Sequence, residues 1–309
     1  MRVLIIGLGS IARKHITALR AIDPATEIFA FRSRPDAPAY PGVTDLHDWE
    51  AVRGLNPDFV IISNPTSEHA RTIEACIPLG RPLFIEKPVF AETGHEEILR
   101  ALREKDILTY VACDMRFLDC LVWLHAYRQG DGRMRRVNEV NVYCGSYLPE
   151  WRPGTDFRKC YSAIPELGGG VHIDLIHDID YVWWIFGAPQ ESRGTFGRRS
   201  SLGIRAYDYA NYCLQYEDFY AGIVLNYYRR DAKRTMEVVF EDGTWTVDMN
   251  ANRVTDETGR VLFESAQSCA DCYRAQMEAF IALVRAGAKT SSNTAFEAAE
   301  VLKICLCGA

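Results

Sequence analysis

The sequence predicts an α/β protein: a doubly wound parallel sheet, followed by a second region of helices and a largely antiparallel sheet. Three observations lead there. Over residues 1–112, short apolar runs alternate with helix-period segments, as when parallel strands are joined by crossover helices. A glycine-rich turn, "VLIIGLGSIARKH", follows the first apolar run directly. Between residues 190 and 263, β-rich runs succeed one another with turn signals between them.

In chain order, Arg2–Ile6 reads as a strand and 11–21 as a helix. Glu27–Phe31 is a strand, 48–53 a short helix, Phe59–Ile62 a strand and 68–78 mostly helix. A strand over 83–85, a helix over 94–105 and a strand over 108–112 complete the alternation. After Arg116 the character changes. A helix is expected over 117–129 and an alternating strand over 137–143. The irregular stretch "SYLPEWRPGTDFRKCYSAIPELGGG" is rich in Trp, Tyr and Arg, and a loop of that length reads as the wall of a site. A strongly apolar helix is expected over 171–186. In the strand-rich part, "FEDGTWTV" carries an Asp242-Gly243 hairpin signal and "TDETGRV" another turn. Helices over 273–285 and Ala295–Cys305 close the chain.

Single cores stop growing at roughly 250–300 residues, so a chain of 309 residues is expected to form two domains, 1–116 and 117–309, with the last helix a candidate to pack back on the first. A hydrophobic fraction of 48% and a charged fraction of 25% are those of an ordinary globular protein. The formal net charge of −6 speaks against nucleic acid or an anionic membrane as partner. No apolar run is long enough to span a bilayer, and the N-terminus runs straight into the glycine motif, so a cytoplasmic location is expected. The ten cysteines are scattered. Cys269 and Cys272 form a lone C-x-x-C without the second pair a zinc site needs, so no metal is expected and Cys113 reads as a buried strand residue.

The turn contains G-x-G-x-x-A at Gly7, Gly9 and Ala12, between a strand and a helix. Gly7 permits the tight turn, Gly9 lets a pyrophosphate approach the backbone, and Ala12 lets helix and strand pack closely. Ser10 and Ile11 then open the helix whose N-terminus faces the phosphates. Where an NAD site usually shows an acid, "FRSRPD" places Ser33 and Arg34, an arrangement that favours the 2′-phosphate of NADP; Asp36 lies just beyond and keeps NAD open.

Two further stretches carry candidate chemistry. In "PLFIEKPVF", Glu86, Lys87 and Pro88 follow a strand end, where ligands of open α/β sheets sit. In "GGGVHIDLIHDIDYVWWIFG", the three leading glycines leave room for something to lie against their backbone. At helical spacing Asp174 and His177 fall within about 60° of each other, Tyr181 and Trp184 continue that stripe, and His172 falls opposite as a packing or surface histidine. Such an Asp–His pair is a core pair, a metal half-site or a proton-transfer pair, and the spacing alone leaves all three open.

The glycine loop, "SNPTSEHA", "EKP" and "GGGVHIDLIHDIDYVWWIFG" occur in the order and spacing of the glucose–fructose oxidoreductase/inositol dehydrogenase (Gfo/Idh/MocA) family, which the chain resembles over nearly its whole length. The resemblance implies a Rossmann domain joined to an α+β domain whose open, mostly antiparallel sheet forms an oligomer interface, hence a homodimer or homotetramer. It implies that Asn64, Pro65, Thr66, His69, Glu86 and Lys87 contact the cofactor, that Lys87 also meets the reacting hydroxyl, and that His177 is the acid/base with Asp174 supporting it. Many members place the aspartate four residues before the histidine, where this chain has Ile173; here it stands three before. Arg116, Trp151, Arg152 and Tyr161 are the expected substrate contacts. The implied activity is NAD(P)-dependent hydride transfer to or from a secondary alcohol of a sugar, cyclitol or sugar nucleotide. A glycosidase working by transient oxidation and a non-catalytic dinucleotide sensor share the same motifs and remain alternatives.

Overall fold

The computed structural model describes residues 1–308. The chain divides into two compact units: Met1–Asp114 with Cys269–Glu300, and Met115–Ser268 with the chain from Val301 onward.

The first unit is a six-stranded sheet of order β3-β2-β1-β4-β5-β6, parallel throughout. Its elements are β1 (Arg2–Ile6), α1 (Ser10–Ile22), β2 (Glu27–Phe31), β3 (Thr44–Leu46), α2 (Trp49–Leu55), β4 (Phe59–Ile62), α3 (His69–Cys76), β5 (Leu83–Glu86), α4 (Glu96–Glu104) and β6 (Thr109–Ala112). Strands β4, β5 and β6 are buried along their whole length, which is why they read as continuous apolar runs rather than alternating ones. The order reverses between β1 and β4, and ligands of such sheets sit at that switch point. Strand β3 is an addition to the sequence reading; it is three residues long, half-buried and at the sheet edge, too short to show a period.

The late helix α8 (Cys269–Arg285) covers this sheet. Its Phe280 meets Phe59 and Phe84 edge-on at ring distances of 5.2 and 5.3 Å, and Phe84 stacks on Tyr110 at 5.4 Å. The opposite edge strand, β6, is capped by residues 291–295. Val111 donates to Asn293 O at 2.9 Å, Asn293 Nδ2 donates to Val111 O at 2.8 Å, and Ser291 Oγ donates to Thr109 O at 2.7 Å. The free backbone groups of an edge are thus satisfied within the unit.

The second unit contains α5 (Asp119–Gln129), β7 (Val137–Tyr147), α6 (Val171–Asp174), α7 (His177–Phe186), β8 (Glu191–Gly197), β9 (Tyr209–Gln215), β10 (Tyr220–Asn226), β11 (Tyr228–Phe240), β12 (Gly243–Asp248), β13 (Arg253–Asp256) and β14 (Val261–Glu264). The last helix, α9 (Ala295–Cys305), runs from the first unit into the second. The eight-stranded sheet has the order β14-β13-β12-β11-β7-β10-β9-β8; only β7 and β10 pair in parallel. Both turn signals stand where expected. Phe240 pairs with Gly243 across a two-residue connection, and Asp256 Oδ1 accepts from the backbone of Thr258 and Arg260 to close the β13–β14 turn.

The tyrosine-rich "AYDYANYCLQY" does not lie wholly on one surface. Its residues alternate, so Tyr212 and Tyr216 turn inward, and their hydroxyls donate to Cys305 O at 2.9 Å and Gly187 O at 3.2 Å. Only the intervening positions, Asn211 and Cys213 among them, face outward.

The expected helix over 171–186 is two helices. The amides of Ile176 and Asp178 reach carbonyls three residues back, Ile173 at 3.3 Å and Leu175 at 3.0 Å, and Leu175 leaves helical geometry at ψ 26°. His177 therefore starts α7 instead of sitting inside one long helix, so Asp174 lies outside the helix that carries His177, Tyr181 and Trp184. Tyr181 is fully buried and donates to Asp178 Oδ1 at 2.6 Å, while Trp184 stacks on His125 at 3.9 Å. What lies against Gly169 and Gly170 is the unit's own chain. A Cβ on Gly169 would come within 2.8 Å of Ile164 O, and one on Gly170 (φ +138°) within 2.6 Å of the His172 ring.

His172 is a packing residue, buried against Phe196 and Tyr207 at ring distances of 5.0 and 5.4 Å. Burial lowers its pKa to about 4. The unfolded chain, at about 6.5, therefore binds the extra proton between the two values, and stability falls as pH drops from about 6.5 towards 4, by up to about 3 kcal/mol. His172→Phe is expected to flatten that part of the stability–pH curve in urea titrations. An unchanged acid slope contradicts this assignment. Among the described residues, no helix is long and apolar enough to cross a membrane.

Candidate functional site

In the first unit, the loops following β1 and β4 press together at the switch point. Gly7 has φ +86°, and a Cβ there would stand 2.8 Å from the Cα and N of Asn64. Ser63 Oγ donates to Gly7 O at 3.1 Å, and Asn64 Nδ2 donates to Thr72 Oγ1 at 2.7 Å. His69 is buried with Nδ1 2.9 Å from Pro88 O and Nε2 3.1 Å from Asn64 O, so it ties the post-β4 loop to the E-K-P turn. Burial lowers its pKa, against the pull of those two carbonyls. Pro65 is exposed and Thr66 half-buried beside it.

Gly9 behaves differently from Gly7. Its φ is −84°, which any residue adopts, and nothing lies within 4 Å of where its Cβ would be. Neither backbone geometry nor the protein's own packing requires a glycine there. The first turn of α1, beginning with Ser10 and Ile11, has no side-chain cap and no acidic residue, so its amides are available to an anion. The glycine loop therefore fits a dinucleotide pyrophosphate. Gly9→Trp is expected to fold with a melting temperature close to wild type and to lose dinucleotide binding by calorimetry; Gly7→Ala, by contrast, is expected to lower the melting temperature. Full affinity in Gly9→Trp contradicts the assignment.

At the end of β2, Arg32 is not a solvated arginine: its Nη1 donates to Asp45 Oδ2 at 2.8 Å and Pro38 O at 3.0 Å. Ser33, Arg34 and Asp36 are exposed. At the end of β5, Glu86 is buried and receives His15 Nε2 at 2.6 Å on Oε1, while its Oε2 accepts from the Lys87 amide at 3.2 Å. Lys87 follows, half-buried, and its peptide bond to Pro88 is cis. His15 lies on α1, so one buried hydrogen bond joins the glycine-loop helix to the E-K-P strand. The sequence reading missed His15, although it shares the buried helix face of Ala12, Ile16 and Leu19.

In the second unit, Asp174 is buried at the end of α6 and its Oδ2 accepts from Tyr227 Oη at 2.5 Å. His177 is half-buried at the start of α7. Trp151 packs edge-on against Tyr227 at 5.3 Å, and its Nε1 donates to Ser146 Oγ at 2.9 Å. Arg152 is exposed, with its guanidinium 6.0 Å from the ring centre of Tyr161. The long loop thus brings Trp151 to the Asp174 cluster through Tyr227, another residue the sequence reading missed. Arg116 is buried, and its Nε and Nη2 donate to Asp180 at 2.9 and 2.8 Å; the guanidinium lies 5.8 Å from the Trp184 ring.

Comparison with known proteins bears on both units. A family described as oxidoreductase family, NAD-binding Rossmann fold, matches residues 1–112, and the GFO/IDH/MocA C-terminal domain matches residues 130–246. The myo-inositol 2-dehydrogenase of Thermotoga maritima is 24% identical over 204 residues, or 62% of this chain and 56% of that protein. The scyllo-inositol 2-dehydrogenase (NAD(+)) of Bacillus subtilis is 26% identical over 233 residues, or 72% and 65%. The match thus spans less than two thirds of the length of either relative. A levoglucosan dehydrogenase solved with NADH and levoglucosan has a TM-score of 0.85 at 14% identity, covering 100% of this chain and 96% of that one, a likeness of fold. With the N-terminal and the C-terminal domain matched in one chain, the protein belongs to the Gfo/Idh/MocA family of oxidoreductases.

Proposed function

We propose that the protein is an NAD(P)-dependent dehydrogenase or reductase acting on a secondary alcohol or ketone of a sugar, cyclitol or sugar nucleotide. The observation that carries this reading is the first-unit arrangement: a glycine loop with open space over Gly9, joined through His15 and Glu86 to the strand end that bears Lys87. The names of the relatives support the substrate class, being inositol dehydrogenases.

When bound, the nicotinamide supplies the hydride donor or acceptor. The amides of Ser10 and Ile11 would hold its pyrophosphate, and Asn64, Pro65, Thr66 and His69 would shape the neighbouring wall. Exposed Ser33 and Arg34 offer a hydroxyl and a cation to a 2′-phosphate, so NADP is the favoured cofactor. His177 takes or returns the hydroxyl proton, the general acid–base role an imidazole can fill. Lys87 stabilises alkoxide charge as it develops. Asp174 supports His177, and Trp151, Arg152 and Tyr161 line the sugar side. We extend the reading to a homo-oligomer formed through the open face of the second-unit sheet.

The test is nicotinamide absorbance with NAD and NADP against a panel of sugars, cyclitols and nucleotide sugars. Steady turnover with one of them supports the proposal, and a higher kcat/KM with NADP supports the role of Arg34. Cleavage of a glycoside with stoichiometric co-purified cofactor, and no net absorbance change, points instead to transient oxidation. Dinucleotide binding without turnover of either kind points to a sensor.

A further inference from the structure

Tyr227 follows β10 and is completely buried. Its main chain is held on both sides: its amide donates to Asp208 O at 3.0 Å, and its carbonyl accepts from Leu148 N at 2.9 Å. Its hydroxyl donates to Asp174 Oδ2 at 2.5 Å, the short distance of a charge-assisted O–H···O⁻ bond. Burial, reinforced by the Asp174 charge, holds its pKa well above the ordinary tyrosine value, so the phenol stays a donor. Trp151 closes over the ring edge-on at 88°.

One residue therefore performs two attachments. Its backbone anchors the start of the loop that carries Trp151, and its side chain fixes one oxygen of Asp174, which sets the rotation of the carboxylate. Asp174 is the last residue of the single-turn helix α6 and is buried, so its carboxylate is held by hydrogen bonds rather than by water. Tyr227 has no exposed surface, so it does not touch a substrate itself.

We infer that Tyr227 is a positioning residue: it orients the Asp174 carboxylate that supports His177 and ties that orientation to the loop carrying Trp151. This rests on the proposed role of His177 as the acid/base.

The test is a double-mutant cycle on the full chain with Tyr227→Phe and Asp174→Asn, read as kcat, KM and melting temperature. Tyr227→Phe keeps the ring against Trp151 and removes only the donor. Its kcat is expected to fall about tenfold, in the range seen when an outer hydrogen-bond partner of a functional ligand is lost, with substrate KM and cofactor affinity little changed. The double variant is expected to be no slower than Asp174→Asn alone, because the tyrosine acts through the carboxylate. Additive losses overturn the inference, as does a Tyr227→Phe protein that melts lower but keeps wild-type kcat.

A second readout separates this inference from the functional reading. The His177 ring proton, assigned by its absence in His177→Gln, is titrated by NMR in the wild type and both single variants. Asp174→Asn removes an anion and is expected to lower the His177 midpoint, and Tyr227→Phe to shift it by less. If no sugar or cyclitol is turned over, the functional reading fails while this titration still decides the inference. A His177 midpoint unmoved by Tyr227→Phe overturns it.

Discussion

His177→Gln and Lys87→Met are each expected to lower turnover by about 10² to 10⁴, the range general acid–base groups contribute, while leaving cofactor affinity within a few-fold of wild type. Glutamine keeps a hydrogen-bonding group but carries no exchangeable charge near neutrality. Methionine keeps the length and apolar contact of lysine without its ammonium. The two residues sit on well-defined supports. Lys87 follows a strand end whose Glu86 is locked to His15, and His177 opens α7, where the chain has just left α6. A structural role makes a different forecast: lower melting temperatures in both variants, with the folded fraction still active. Turnover and melting measured side by side separate the two, and an active but destabilised His177→Gln protein overturns the mechanism.

Asp180→Asn is expected to cost about 3–5 kcal/mol of stability, as does breaking other buried ion pairs by removing one partner. The Arg116 and Asp180 side chains are 2% and 1% exposed and meet through two parallel hydrogen bonds. Taking away the Asp180 charge removes the carboxylate to which buried Arg116 donates twice. For a protein of this size the melting temperature is expected to fall by roughly 10 °C. The double change Arg116→Met with Asp180→Leu removes both charges and is expected to recover most of the loss. The same experiment addresses the substrate contact expected of Arg116. If that contact is its main role, Arg116→Met raises KM and leaves stability nearly unchanged; if the ion pair is, denaturant midpoints move first.

Legibility in the sequence tracked burial. Strands β1, β4 and β5 stood out because they are buried on both faces and so are apolar without interruption. The hairpins of the second sheet stood out because glycine and aspartate mark their turns. The break between α6 and α7 did not, because no glycine or proline stands in residues 171–186 to mark it. That break matters to the candidate site, since the angular relation of Asp174 and His177 assumed one continuous helix. His15 and Tyr227 were missed for a related reason: each lies in a run where burial was visible but the partner, some 71 or 53 residues away, was not. The sequence does not tell Arg32 from Arg34, both at the end of β2; only the fold distinguishes the arginine bound to Asp45 from the exposed one.

The edge of β6 is closed by residues 291–295, and the sheet beneath Phe59 and Phe84 is covered by Phe280. On the ribosome, the first 114 residues emerge long before either arrives, because the segment from Met115 to Ser268 must be made in between. At roughly 5–20 residues per second, the nascent sheet waits about ten seconds or more with an open edge and an uncovered aromatic face. During synthesis the N-terminal part of this protein is begun first but stays unfinished until residues 269–300 arrive, and that interval is when a chaperone has most to protect.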